Sequence, residues 1–231
     1  MDITPVAGAL GAEISGIDLG APLSDAVIAD IRSALLEFGV VFFHDQDFDA
    51  SAHKSLARRF GEIFVHPFFV PGDDPEIVNI IREPTDTSIV GQDWHADTQM
   101  VPQPPMGAIL YGVDVPAYGG DTLFANQYLA YEALSDGMKR MLDGLRAVNS
   151  DRLVAGPGHG RSDNRATKAR QDADWRETYN LHPVVRTHPE TGRKALFVNH
   201  SYSVGLENMS EDESRPLLAW LMDWGHRPEF T

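Results

Sequence analysis

Glycine and proline punctuation is the feature that most limits what this chain can fold into. Twenty glycines and fifteen prolines in 231 residues break the apolar residues into short runs, and short runs bounded by turn formers read as strands. Residues 6–19 place Val6, Ala9, Leu10, Ala12, Ile14, Ile17 and Leu19 between Gly8, Gly11, Gly16 and Gly20, a pattern of short strands and turns. Further strands are expected at 40–43, 77–81, 108–113 and 195–199, the last pairing with the stretch from His182 to Pro189 across a turn at Glu190–Arg193.

Helical spacing is confined to a few places. Val27, Ile28, Ile31, Leu35 and Phe38 recur at helical intervals between Ser24, a natural N-cap, and Gly39, a natural stop. A second helix is expected over 50–60 with Leu56 and Phe60 inward, a helical hairpin over 127–146, and a last helix over 211–225 capped by Ser210, with Leu217, Leu218, Leu221 and Met222 inward. Residues 84–91 read as a polar loop. Residues 149–180, poor in apolar side chains, read as a lid-like insertion with one helix near 165–177. No βαβ alternation, G-x-G-x-x-G or P-loop pattern occurs, so neither a dinucleotide fold nor a phosphate loop is indicated. The fold class is mainly β with helices (α+β), a sandwich or jelly roll with helical decoration. The whole of 1–231 reads as one domain.

Charge and cysteine content remove several functions. Thirty-four acidic side chains against nineteen basic ones give a net charge of −15, which disfavours nucleic acid and anionic membrane as partners. No cysteine is present, so disulfides, thiolate nucleophiles and iron–sulfur clusters are excluded and any metal must be held by nitrogen and oxygen. The N-terminus has no leader pattern and no apolar run reaches membrane length; a cytoplasmic location is the expectation.

One motif offers metal chemistry. In Asp93-Trp94-His95-Ala96-Asp97-Thr98, an imidazole and a carboxylate stand two positions apart. On a strand both would point to one face. They would then supply two of the three donors of the 2-His-1-carboxylate set that holds non-haem Fe(II). A bare His-x-Asp also arises by chance and decorates many surfaces, so the motif needs companions.

The companions are present. Gly11-Ala-Glu-Ile-Ser-Gly-Ile-Asp18, Arg58-Arg-Phe-Gly-Glu62, Trp94-His-Ala-Asp97, Pro104-Pro105, Gly119-Gly-Asp-Thr122, and His182-Pro-Val-Val-Arg-Thr-His-Pro189 through Thr191-Gly-Arg193 to Phe197-Val-Asn199 follow in order. With them the chain resembles the taurine dioxygenase / 2,4-dichlorophenoxyacetate dioxygenase family of Fe(II)- and 2-oxoglutarate-dependent oxygenases over most of its length. The resemblance implies a double-stranded β-helix (jelly-roll) core flanked by helices. It makes His95 and Asp97 metal ligands, and Thr122 a contact of the far carboxylate of 2-oxoglutarate. It also makes His66, Phe69 and Tyr202 substrate-side residues. Taurine-type members carry a tyrosine where Phe69 stands, which tilts the expected substrate toward a bulkier, aromatic organic acid. The implied reaction hydroxylates a small organic acid (a sulfonate, an aryloxyalkanoate or similar) with release of succinate and CO2. Its partners are the acid and O2, and self-association is left open.

Two family groups have no counterpart. The resemblance calls for a distal histidine to complete the iron set and an arginine to pair with 2-oxoglutarate, both beyond the segment matching 226–231. The expectation is a shortened version of a longer enzyme. His182 and Arg193 have the spacing of the missing pair but align with a different family segment, and His200 is the better stand-in for the third ligand. His44, His53, His159 and His226 have no companion residues and read as surface or loop histidines. A non-catalytic small-molecule binding protein on the same fold is the alternative, and a hydrolase recruiting His66 or His200 is a third reading.

Overall fold

The computed structural model describes residues 1–69, 72–157, 165–168 and 174–231. The N-terminal part builds a small mixed sheet. β1 (Asp2–Pro5) pairs antiparallel with β2 (Ala12–Ser15), which pairs parallel with β3 (Val41–Phe42). Between β2 and β3 runs α1 (Asp25–Phe38), capped by the Ser24 hydroxyl accepting from the Val27 N–H and closed by Gly39 at φ 76°. That positive φ is open to glycine at little cost. α2 (Ala50–Arg58) follows, capped by Asp49. Ile14, Leu19, Ile28, Ile31, Ala34 and Leu56 close one apolar cluster here.

The second half has its own core. α3 (Gln127–Glu132) and α4 (Asp136–Leu142) form the expected helical pair, but the chain leaves helix at Leu142 and enters β4 (Arg146–Ser150). β4 is the centre of an antiparallel sheet between β5 (Tyr179–Pro183) and β8 (Ser203–Leu206). β6 (Val185–Thr187) and β7 (Lys194–Leu196) make the expected hairpin, turned at Gly192 with φ 69°. α5 (Glu211–Gly225) opens with a full capping box between Ser210 and Glu213. Its Leu218, Leu221 and Met222 pack on Leu142, Ala147, Leu196 and Leu206. The Arg32 guanidinium pairs with both oxygens of Glu190 at 2.7 and 2.8 Å, tying α1 to the β6–β7 turn.

Several expected strands are not formed. Residues 77–81 and 108–113 lack strand pairing, and the motif at 93–98 lies in irregular chain and a turn rather than on a strand. The described parts of the expected helix near 165–177 are not helical, and 169–173 lie outside the described residues, as do 158–164 with His159. The physical reason is visible in the surface. A folded chain of this mass exposes about 10,000 Å², whereas this one exposes 14114 Å². Leu110, Val113, Val115, Tyr118 and Leu123 are 72%, 87%, 70%, 91% and 68% exposed. Apolar runs of this kind become strands only when a neighbour supplies hydrogen bonds, and no described strand pairs with them. No helix among the described residues is long and apolar enough to cross a membrane.

Candidate metal site

The site is built on a short turn braced from two sides. The Val101 N–H donates to the Thr98 carbonyl at 3.0 Å, closing a turn directly after Asp97. β5 holds it from one side. Asn180 and His182, two apart on that strand, point the same way. The Asn180 side chain donates to the Met100 carbonyl at 2.6 Å, and His182 Nε2 donates to the Val101 carbonyl at 3.0 Å. From the other side the Gln99 amide donates to the Phe197 carbonyl at 2.8 Å and to Asn149 Oδ1 at 3.0 Å. Thr98 is fully buried at φ 48°, a left-handed conformation that costs a β-branched residue roughly 1–2 kcal/mol. Its hydroxyl has no hydrogen-bond partner among the described residues.

Ahead of this turn the two donors meet. His95 Nε2 lies 3.2 Å from Asp97 Oδ1, and His95 Nδ1 donates to the Asp93 carbonyl at 2.7 Å. With the proton on Nδ1, Nε2 turns a lone pair toward a carboxylate oxygen. Two electron-rich atoms that close demand a cation between or beside them, either a proton or a metal ion. The hydrogen bond to Asp97 accordingly raises the imidazole pKa above its usual 6.5, against the effect of burial, and His95 lowers the Asp97 pKa below its usual 3.8. A carbonyl accepting the far N–H is also how proteins orient metal-binding histidines. The pair faces solvent, with side chains 32% and 53% exposed. Gly91, at φ 72°, lies beneath the ring, where an added Cβ would stand 3.2 Å from His95 Cε1. The donor set thus fits two positions of a metal ion, and no group of three His, Asp or Glu suited to a metal occurs among the described residues.

The other expected residues are distributed unevenly. His66 is half-buried. Burial lowers its pKa, the charge of Asp97 opposing, so it feels the pair. Its Nδ1 accepts from the Phe68 N–H at 3.2 Å and its ring packs on Phe69 with centroids 4.6 Å apart. Tyr202 is 5% exposed. Burial and then the Asp97 charge push its pKa up to about 12. Thr122 is exposed after the Gly119–Gly120 turn, and its side chain makes no hydrogen bond to a described residue.

The histidines resolve differently. His182 is spent on the Val101 carbonyl, and Arg193 pairs with Glu132 at 2.8 Å and covers the Tyr128 ring. His53 is not a surface histidine: it is half-buried on α2, with Nε2 3.0 Å from the Ile109 carbonyl. His44 faces Glu13 at 3.1 Å. His226 does have companions, contrary to expectation. It stacks on Trp94 and tilts against His200, which lies 4.0 Å from Asp223. The sequence does not mark Gln99, Asn199 and Gly91 as site residues. Asn199 stood inside a family motif, while Gln99 carries no local signal beyond its place after the motif.

Comparison with known proteins settles the family. Residues 2–231 match the family described as "Taurine catabolism dioxygenase TauD, TfdA family". The chain belongs to this family of dioxygenases. It is 31% identical to an alkylsulfatase of Acinetobacter baylyi, with all of this chain and 73% of that protein covered. It is 32% identical to the (S)-phenoxypropionate/alpha-ketoglutarate-dioxygenase of Sphingobium herbicidovorans, covering 98% of this chain and 80% of that protein. A crystal structure of a taurine dioxygenase from Burkholderia xenovorans superposes with a TM-score of 0.81 at 33% identity, over 99% of this chain and 74% of that one.

Proposed function

We infer that this family member is a 2-oxoglutarate-dependent dioxygenase acting on a small organic acid. The observation that carries the reading is the 3.2 Å approach of His95 Nε2 to Asp97 Oδ1, with Nδ1 committed to the Asp93 carbonyl. His95 and Asp97 would hold Fe(II). When bound with 2-oxoglutarate, the metal supplies O2 activation, so that one oxygen atom enters a substrate C–H bond and the other leaves in succinate as CO2 is released. The residues of this chain bind and orient. The Asp93 carbonyl fixes the ligand tautomer, and Thr122 serves the far carboxylate of 2-oxoglutarate. Tyr202, near enough to feel the Asp97 charge, would stand on the substrate side of the site. His66, its Nδ1 occupied by the Phe68 N–H, presents an Nε2–H donor suited to a sulfonyl, sulfate or carboxylate oxygen. Phe69 beside it offers an apolar wall in place of a hydroxyl, which suits an aryloxyalkanoate or alkyl sulfate better than taurine. The β5-β4-β8 sheet and the β6–β7 hairpin belong, on this reading, to a jelly-roll core in a single domain.

Mn(II), a redox-silent stand-in, tests the site by calorimetry. One-to-one binding weakened at least tenfold in both His95→Ala and Asp97→Ala is the expected result. Binding unaffected by either substitution sinks the reading. Because no third donor joins the pair among the described residues, a metal-independent binding protein is the second reading. Succinate formed from 2-oxoglutarate with Fe(II) and O2 decides for the enzyme. Organic-acid binding indifferent to metal, without succinate, decides for the binder.

A further inference from the structure

An open ring of buried hydrogen bonds, from Tyr202 through Asn199 to Gln99, runs beneath the ligand pair. The Tyr202 phenol lies near the Thr98 backbone and the Asp97 charge. The Tyr202 N–H donates to Asn199 Oδ1 at 3.0 Å, and the Ser201 N–H donates to the same oxygen at 3.1 Å. The Asn199 amide donates in turn to Gln99 Oε1, and Gln99 follows Thr98 in the chain. Thr98 and Gln99 are fully buried, and Asn199 and Tyr202 are 5% exposed. The Gln99 amide hydrogens go to Asn149 Oδ1 and the Phe197 carbonyl, so neither end of that side chain is idle. Ser203 completes the outer part, donating to Asn149 at 2.7 Å and accepting from the Asn199 N–H at 3.1 Å.

This ring ends at Gln99, next to the one strained residue of the motif. Thr98, at φ 48°, sets the direction in which the chain leaves Asp97. A left-handed β-branched residue persists only where its surroundings over-determine it, and the Gln99 bonds directly after it, with the Val101 N–H on its carbonyl, hold that turn. The same bonds seat Tyr202, whose phenol feels the Asp97 charge.

We propose that Gln99 and Asn199 are positioning residues for the metal site: by anchoring the chain directly after Thr98 they fix the turn that aims the Asp97 carboxylate at His95. The proposal rests on the reading of His95 and Asp97 as ligands. Outer partners of metal ligands typically contribute 10–100-fold in affinity, which sets the expected scale.

Three variants of the full chain test it. Asn199→Asp keeps the acceptor for the Ser201 and Tyr202 N–H groups and puts a carboxylate oxygen in place of the donor to Gln99. Gln99→Met keeps the volume and loses the amide. Ser203→Ala disturbs the outer part and spares the ring. Thr98 amide exchange and Mn(II) affinity are read on each. The expected result is Thr98 exchange at least tenfold faster in Asn199→Asp and Gln99→Met, with β4 amides unchanged, and Mn(II) affinity reduced tenfold or more. Ser203→Ala should lower the melting temperature while leaving Mn(II) affinity within twofold. Folded Asn199→Asp and Gln99→Met proteins with native Thr98 protection and Mn(II) affinity within twofold overturn the proposal. Failure of both to fold also overturns it, since the ring would then serve folding alone. If the parent chain binds no Mn(II), the reading of the ligands fails, and Thr98 exchange still decides whether the ring holds the turn.

Discussion

Trp94 and His226 lie face to face, their ring centroids 4.6 Å apart and their planes 10° from parallel. The residue ahead of His95 is thereby clamped to the end of α5. The groups around His226 are Trp94, His200 and Asp223. Burial, with His200 adding to it and Asp223 opposing, pulls the His226 pKa down from 6.5 to about 4. A histidine with a lowered folded-state pKa takes up its proton more readily when unfolded. Stability from this residue is therefore complete above pH 6.5 and is lost as pH falls from there toward 4. The group is partly exposed, so the loss is on the order of 1 kcal/mol. His226→Phe keeps the stack and cannot titrate. Urea unfolding at pH 7.5 and pH 5 should show the parent weakened at the lower pH by that much more than the variant. Equal slopes in both proteins would mean that His226 is not held neutral.

Gly91 offers a test from the opposite side of His95. Any side chain there faces a left-handed φ of 72° and a Cβ 3.2 Å from His95 Cε1. Gly91→Ala should cost about 1 kcal/mol in stability from the backbone alone. The ring must also give way, so Mn(II) affinity should fall severalfold. Calorimetry on the variant checks both; unchanged affinity would show that the ring has room to move.

His182 and His95 make different predictions, and the contrast separates a brace from a ligand. His182→Phe leaves the Val101 carbonyl without its buried donor, which costs roughly 1–3 kcal/mol. The β5 face still carries Asn180 on the Met100 carbonyl, so the turn is weakened and not lost. Thermal unfolding should shift down while Mn(II) affinity changes far less than in His95→Ala. A His182 variant that loses metal as completely as His95→Ala would restore it as a ligand.

What the sequence shows well here is local. Ser24, Asp49 and Ser210 cap the helices that their positions announce, because a cap and its helix lie within one turn. The His95-x-Asp97 pair is legible for the same reason, although the expected strand is a turn. The pair converges because the Asp93 carbonyl holds one side chain and the turn at Thr98 returns the other. Residues 108–113 mark the limit. Their apolar run says that the face wants covering, and says nothing of what covers it, and Val113 stands 87% exposed. Gln99 and Asn199 are 100 residues apart in the chain. Nothing in either neighbourhood announces that one amide will meet the other, since a polar side chain carries no periodicity. The stack of His226 on Trp94 is hidden in the same way.

Thr98 gives the last test, because it combines two costs in one buried side chain. Its backbone is left-handed and its hydroxyl is unpartnered among the described residues. Thr98→Val keeps the β-branched shape and hence the backbone strain, so the change isolates the hydroxyl. A buried hydroxyl without a partner is unfavourable relative to a methyl group of the same size. The variant should therefore be more stable by about 1 kcal/mol, read as a rise in the urea midpoint at constant slope. The Thr98 backbone and the Gln99 bonds directly after it are untouched, so Mn(II) affinity should stay within twofold. A loss of stability would show that the hydroxyl finds a partner in solution. A loss of metal affinity with stability intact would place that hydroxyl among the groups that steer Asp97, since the backbone and the ring beneath it are the same in both proteins.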